Sequence, residues 1–459
     1  MPSFDKINEY AALVSQQIRW EKARLRVSEE ITNHIVDGRD SYIAQGFDEQ
    51  TATDKAIADT GDSMTIGTRL DRIHRPKPQW TMFAWVIGFI LLGLFISLFI
   101  FDDVNVTGRL LTRRLLLTAI SVVVMMSAYF ADFTILGKYP RRICLGVGLL
   151  MAAAYNINVF VTHIVVFNME FQLQTLALLL PVVFAPIIYI SRNKSYWGLL
   201  GCLLTYGLLC LVTFSANHLS GFVHFVIIGM ALLIIAVIKN WFGVNRVMGI
   251  VLTLVPYIIF FAVMIFIYGR GSWVFARLMG AINPYSDPLG SGFLAIQARE
   301  LLSSAALVGE GSMPEFFPQA WLYSDFILLT VINRFGWLAF AVVMGALLLF
   351  IGKVTARCIK QKSSLGFFIS IAVALTLFVQ IFMYVIFNMG FTLTHISLPL
   401  ISPGNSAMVI NMGLIGFMLS VFRTGDAVDD KNAVSVIKQN AFVTWHDGKL
   451  TIDFKKKTE

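Results

Sequence analysis

Residues 269–325, GRGSWVFARLMGAINPYSDPLGSGFLAIQARELLSSAALVGEGSMPEFFPQAWLYSD, are the longest non-apolar stretch inside an otherwise hydrophobic chain. The stretch opens where one apolar run stops at Tyr268 and closes on Asp325, where the next begins. A helix needs about 20 apolar residues to cross a bilayer, and the flanking runs approach or exceed that length. The pattern predicts an all-α polytopic membrane protein with one large polar loop. A shorter polar segment, HISLPLISPGNS at 395–406, re-enters the apolar region further on. These two segments are the expected working face.

Outward from the loop, the length criterion yields about ten spans. They lie near 79–101, 115–136, 143–162, 173–191, 196–216, 221–239, 247–268, 325–352, 364–388 and 403–422. The large loop then falls between spans seven and eight. Arg75 and Lys77 precede the first span. Lys138, Arg141, Arg142, Arg192, Lys194, Lys239, Arg246, Lys353, Arg357, Lys360 and Lys362 all fall in loops on that same side. The excess of Lys and Arg in cytoplasmic loops makes that side the cytoplasm. Both termini are then cytoplasmic, and 269–325 faces outward. Arg109, Arg113 and Arg114 stand against the rule on the opposite side.

Composition agrees with a lipid environment. The 459 residues are 57% hydrophobic and only 14% charged, against roughly 25% charged in a soluble domain. The net charge of +8 comes from short clusters between apolar runs, not from a continuous basic face, which argues against nucleic acid as partner. Cys144, Cys202, Cys210 and Cys358 lie in or beside apolar runs without a CxxC pair, and read as small core residues. No Walker A loop, HExxH, GxSxG or dinucleotide fingerprint occurs, so an ATPase or zinc protease is not expected. The polar, charged first 78 residues offer no cleavable signal peptide.

Those residues, 1–78, read as a cytoplasmic helical unit. Leu25, Val27, Ile31, Ile35 and Ile43 recur at roughly helical spacing up to Gly46. Asp48 can cap a helix DEQTATDKAIADT that stops at Gly61, and a weaker helix follows from Ser63 to about His74. This unit resembles the small helical prefix found ahead of some permeases. Residues 79–422 form the transmembrane domain, and 423–459 a cytoplasmic tail with a short hairpin expected about Asp447-Gly448.

Asp325 is the first candidate for chemistry. A carboxylate at a membrane edge is partly desolvated, which suits a general base; the alternative is an ordinary helix cap by Ser324 or Asp325. Arg270, Arg277 and Arg299 in the loop can hold a phosphate or diphosphate through paired N–H donors, or stand as solvated loop charges. No metal-ligand cluster is evident, though a divalent cation would suit an anionic leaving group.

Three blocks resemble the SEDS family (shape, elongation, division and sporulation; FtsW, RodA and SpoVE). In 283–312, Asp287, Pro288, Gln297, Ser303, Ser304, Gly309, Gly311 and Ser312 take positions of its Asp-Pro, Gly-Tyr-Gln and Gly-x-Gly-x-Ser run. In 316–340, Asp325 falls on the aspartate regarded there as catalytic, within Leu-Pro-Glu-x-His-Thr-Asp-Phe-Ile-Phe. In 388–406, Asn388, Gly390, Leu398, Pro399, Ser402, Gly404 and Ser406 match Asn-x-Gly…Pro-x-x-Gly-x-x-Leu-Pro-Phe-x-Ser-x-Gly-Gly-Ser. The departures are Tyr323-Ser324 for His-Thr, Asn333-Arg334 for Glu-Glu, and Ala305-Ala306 and Gly404-Asn405 for the double glycines. SANHLSG, 215–221, stands where the family has Pro-Asp-Leu-Gly.

The resemblance implies a peptidoglycan glycosyltransferase of the bacterial cell membrane that polymerises lipid II, working with a class B penicillin-binding protein. It implies Asp325 as base and places Gln297, Ser303, Ser312, Asn388, Ser402 and Ser406 among the substrate-binding positions. Two rivals remain at this point: a lipid flippase, which would want charges at mid-membrane, and a non-catalytic scaffold that kept the fold.

Overall fold

The computed structural model describes residues 3–76, 78–100, 104–158, 164–166, 169–171, 173–215, 219–268, 273–312, 325–402, 405–425, 443–446 and 449–452. The chain divides into two compact units, Met1–Pro78 and Gln79–Glu459.

The first unit holds four helices: α1 (Ser3–Gln16), α2 (Glu21–Ala44), α3 (Glu49–Thr60) and α4 (Ser63–His74). In α2 the buried row is Ala23, Val27, Ile31 and Ile35, four residues apart and therefore on one face. It packs against Ile7, Ala11, Val14 and Ile18 of the α1 region. Each buried Ile or Val contributes about 2 kcal/mol. Leu25 and Ile43, expected in the same stripe, are 77% and 40% exposed; at two and eight residues from members of the row they turn away from it. Gly46 and Gly61 end α2 and α3 at φ of +95° and +99°, a conformation that costs a residue with a Cβ. Asp48 and Asp62 cap α3 and α4, their carboxylates accepting from the Thr51 and Thr65 amides at 3.0 and 2.9 Å.

The second unit is helical, with two short hairpins among its described residues. The helices are α5 (Trp80–Ile100), α6 (Val104–Phe130), α7 (Thr134–Lys138), α8 (Pro140–Asn158), α9 (Leu180–Ile190), α10 (Ser195–Ser215), α11 (Leu219–Ile238), α12 (Arg246–Tyr268), α13 (Trp273–Ile282), α14 (Phe293–Ser303), α15 (Ile327–Phe335), α16 (Trp337–Ile359), α17 (Ser364–Asn388) and α18 (Asn405–Thr424). The hairpins pair β1 (Ile164–Val166) with β2 (Met169–Phe171) and β3 (Val443–His446) with β4 (Lys449–Ile452). The second is the expected tail hairpin; the first joins two of the expected spans and leaves the class all-α.

Seven helices among the described residues are long and apolar enough to cross a membrane: those of α5, α6, α10, α11, α16, α17 and α18. Thr175–Ile190 and Arg246–Ile259 are shorter apolar helices. The first includes most of a 3-10 segment, Leu173–Leu179, followed by α9, which contains Pro186; α12 contains Pro256. The expected eighth span is not one helix from 325. Its first part, α15, ends at Gly336, φ +89°, and α16 starts afresh at Trp337. A Cβ at position 336 would lie 2.5 Å from the Leu307 carbonyl oxygen. Residues 306–311 are laced to this break through N–H donation from Trp337 to Ala306 (3.2 Å), Leu338 to Leu307 (3.1 Å) and Gly311 to Asn333 (2.7 Å). Within 273–312 this polar stretch carries α13 and α14.

Helix α17 is enclosed along most of its length, with Phe368, Ile369, Ala372, Val373 and Tyr384 at 0% exposure. Ile87, Leu91, Phe95 and Leu98 of α5 recur at helical spacing and are at least half exposed, a lipid-facing stripe. Lipid chains are as apolar as leucine, so helices here associate through close packing and internal hydrogen bonds. A Cβ on Gly416 of α18 would run into the backbone of Met125 in α6. Gln380 of α17 and Asn411 of α18 exchange two amide hydrogen bonds, 3.1 and 3.0 Å long, in the buried interior. Cys144, Cys202, Cys210 and Cys358 are all buried and unlinked.

Candidate active site

The N-terminus of α15 organises the site. The sequence ILLTVINRF turns nearly every side chain from Ile327 to Asn333 inward, so its first N–H groups open into protein where water cannot satisfy them. The residue before it, Phe326, supplies no side-chain cap. Helix α17 does so instead. The Ile327 N–H donates to the Tyr384 hydroxyl at 3.0 Å, and the Leu329 N–H to Asn388 Oδ1 at 3.0 Å. Asn388 Nδ2 donates in turn to the carbonyls of Asp325 (3.1 Å) and Tyr384 (2.9 Å). Stacked Phe326 and Phe387, centroids 4.9 Å apart, close the junction beneath Ala298 and Leu301 of α14.

With the cap supplied from elsewhere, the Asp325 carboxylate is not a helix cap. Its Oδ1 lies 2.6 Å from His395 Nε2, and the two side chains are 27% and 50% exposed. The pair therefore sits at a rim, half open. His395 is held by its own backbone N–H, which donates to Ser220 Oγ at 2.8 Å, and by its ring edge against Phe387. Ser220 belongs to the SANHLSG segment, 215–221. Imidazole and carboxylate so placed can accept, hold and pass on one proton.

The remaining candidates do not converge on Asp325 as a group. Asn388 is 0% exposed, with its amide spent on the α15 start and on the Asp325 carbonyl. Ser402 and Ser406 are 2% exposed, unlike substrate contacts, because the re-entrant segment folds into the bundle. Ser303 is exposed and its hydroxyl donates to the Glu300 carbonyl one turn back. The Ser312 carbonyl accepts from Ser304 (2.8 Å) and Asn333 (3.2 Å), which fastens the loop. Arg299 Nη2 donates to the Ala281 carbonyl at 3.2 Å, and its stem lies against Gly390, φ +86°. Gln297 Oε1, on the same helix, is buried without a partner among the described residues. Arg277 is on the exposed face of α13. Arg270 lies outside the described residues.

Asn333 and Arg334, in place of the family's two glutamates, serve the loop: Arg334 lies 3.6 Å from Glu310. Asp287 folds its own turn, accepting from the Ser291 amide at 2.8 Å and from its hydroxyl, and both donors hold its carboxyl below the ordinary value. Among the described residues no group of three or more His, Cys, Asp or Glu is placed to hold a metal ion. His395 was missed in the sequence reading. It lies in the quoted HISLPLISPGNS segment, yet only its position in space ties it to Asp325.

The fold and site define a polytopic helical membrane protein with an aspartate–histidine pair at one rim. The sequence model of the Cell cycle protein family (FtsW/RodA/SpoVE) matches residues 79–426, and the chain belongs to that family. Peptidoglycan glycosyltransferase MrdB of Escherichia coli K12 is 28% identical over 152 residues, 32% of this chain and 40% of that protein. Probable peptidoglycan glycosyltransferase FtsW of Borreliella burgdorferi is 27% identical over 239 residues, 50% of this chain and 61% of that one. The matches thus span 40% and 61% of these two curated relatives. A chain from a structure described as a peptidoglycan synthase complex coordinating polymerization and crosslinking has the same fold, with a TM-score of 0.52, 20% identity, and coverage of 75% of this chain and 98% of that one.

Proposed function

We propose that this protein is a peptidoglycan glycosyltransferase that polymerises lipid II, with Asp325 as its base. The observation that carries the reading is the Asp325–His395 pair, held half open by a cap that leaves the carboxylate unused. Family membership and the names of the relatives supply the substrate class.

In this reading an acceptor sugar hydroxyl gives its proton to Asp325 as its oxygen bonds to the donor's anomeric carbon. The bond from that carbon to the lipid diphosphate breaks, and the diphosphate leaves with the electron pair. His395 donates Nε2–H to the carboxylate and fixes its orientation. The family's histidine two residues before the aspartate is Tyr323 here, while His395 stands where the pattern Gly-x-x-Leu-Pro has glycine.

The further assignments belong to the same proposal. In it the chain crosses the membrane about ten times, with the 269–325 loop outside and both termini in the cytoplasm; residues 1–78 are a cytoplasmic prefix and 423–459 a tail. A class B penicillin-binding protein is the partner, by analogy with the synthase complex whose fold is shared. Magnesium or manganese would accompany the diphosphate, so the assay is run with and without it.

The test is glycan polymerisation from labelled lipid II by the purified protein with its cognate transpeptidase. Asp325→Asn keeps the shape and removes the base; a loss of about 100-fold or more is expected. Strands of equal yield from a folded Asp325→Asn protein would remove the carboxylate from its role. Absence of strands from the wild type as well would favour a scaffold.

A further inference from the structure

Arg113 and Arg114 open the apolar part of α6, on the side where the pattern of basic loops does not expect them. Arg114 is 6% exposed, and its Nη2 donates to the Ile401 carbonyl at 2.6 Å. Gly93 of α5 makes room for this contact: a Cβ there would lie 2.6 Å from both Arg114 Nη2 and the Ile401 oxygen. Arg113 Nε and Nη2 are buried with no partner among the described residues. Thr118 Oγ1 and Ser121 Oγ, which continue the Arg114 stripe at helical spacing, are also buried and unpartnered. Among the described residues no carboxylate forms an ion pair with either arginine.

A buried guanidinium with unmade hydrogen bonds is costly, and in a membrane such a group marks a ligand or a pathway. Its planar fork of donors matches phosphate oxygens. Ile401, which touches Arg114, is in the same re-entrant segment as His395, which touches Asp325. Fully extended, the chain between them spans at most about 20 Å. We propose that Arg113 and Arg114, with the Thr118 and Ser121 hydroxyls, form a binding site for the phosphate or diphosphate headgroup of a lipid. Identifying that lipid with the glycan carrier rests on the polymerase reading; the anion site itself does not.

The probes are undecaprenyl diphosphate, phosphatidylglycerol and inorganic pyrophosphate, added to the full chain in phosphatidylcholine nanodiscs and read by native mass spectrometry. Arg113→Gln should weaken undecaprenyl diphosphate binding at least about tenfold without lowering the unfolding temperature of the ligand-free protein, since Nε and Nη2 have no partner to lose among the described residues. Arg114→Gln should weaken binding too, but also releases Ile401, so Arg113→Gln is the deciding variant. Asp48→Ala, in the first unit, should bind as the wild type does; binding is read without turnover, which separates this site from the assignment of the base. Tighter binding of phosphatidylglycerol, lost in the same variant, would keep the anion site and overturn its link to the glycan carrier. Tight pyrophosphate binding would assign recognition to the headgroup alone. Unchanged affinity in Arg113→Gln would overturn the proposal, as would a fall in ligand-free stability with affinity intact.

Discussion

Two helix starts in this molecule are capped in opposite ways. In the first unit, α3 begins at Asp48, whose own carboxylate accepts from Thr51 three residues on. In the second, α15 begins at Phe326 with nothing local to offer, and its amides are met by Tyr384 and Asn388 from another helix. Water surrounds the first start and would replace a lost cap. It cannot reach the second, so the same missing hydrogen bond costs far more there. The difference also frees Asp325. A carboxylate that capped its own helix would be spent on backbone, whereas a borrowed cap leaves it facing His395.

Apart from the loss of turnover expected for Asp325→Asn, the largest effect should come from Asn388→Leu. It fills the same space but strands the Leu329 amide and removes the tie to the Asp325 carbonyl, at about 2–4 kcal/mol. Denaturation in detergent, compared with lipid II turnover, should show both falling. Unaltered stability would mean that the α15 start is satisfied some other way. Tyr384→Phe deletes a single acceptor and should cost about 1–2 kcal/mol, with turnover reduced less than by Asn388→Leu. Asp48→Ala should be milder still: faster hydrogen exchange at the Thr51 amide, and polymerisation unchanged. A comparable loss of activity there would break the contrast.

The smallest effect concerns pH. The Asp48 carboxyl is held below its ordinary value, first by the Thr51 hydroxyl and next by its amide, and Asp62 likewise by the Thr65 amide and hydroxyl. A lowered carboxyl stabilises the fold at pH above its unfolded value, about 3.9, and that contribution fades as pH falls through the folded value. Protection of the Thr51 and Thr65 amides, corrected for intrinsic exchange, should therefore fall only below about pH 4. Loss of protection near neutrality would contradict the sign.

These cases also mark what could be read from sequence. Asp48, Gly61 and Ser63 announced their helices because each signal lies within a few residues of the group that it satisfies. Apolar run length disclosed most of the membrane helices for the same reason. The break at Gly336 was hidden: INRFGWLAF reads as one apolar run, and only the approach of Leu307 demands a glycine there. Asp325 stood out through its motif, but His395 did not. Its partner is distant in sequence, and a lone histidine in a polar segment carries no local sign of contact. Asn388 was picked by its motif, but pattern shows that a residue is used, not that its amide turns to the α15 start.

The paired amides of Gln380 and Asn411 bear on more than the packing of α17 against α18. Those two helices are the abutments of the segment that carries His395 to Asp325 and Ile401 to Arg114. If either helix slid by a turn, four hydrogen-bonding groups would be stranded where no water can relieve them, so the pair acts as a key that admits one alignment. The segment between is then strung over a fixed gap. Motion that brings its histidine toward or away from the carboxylate must arise within the segment itself, and cannot be borrowed from the helices at its ends.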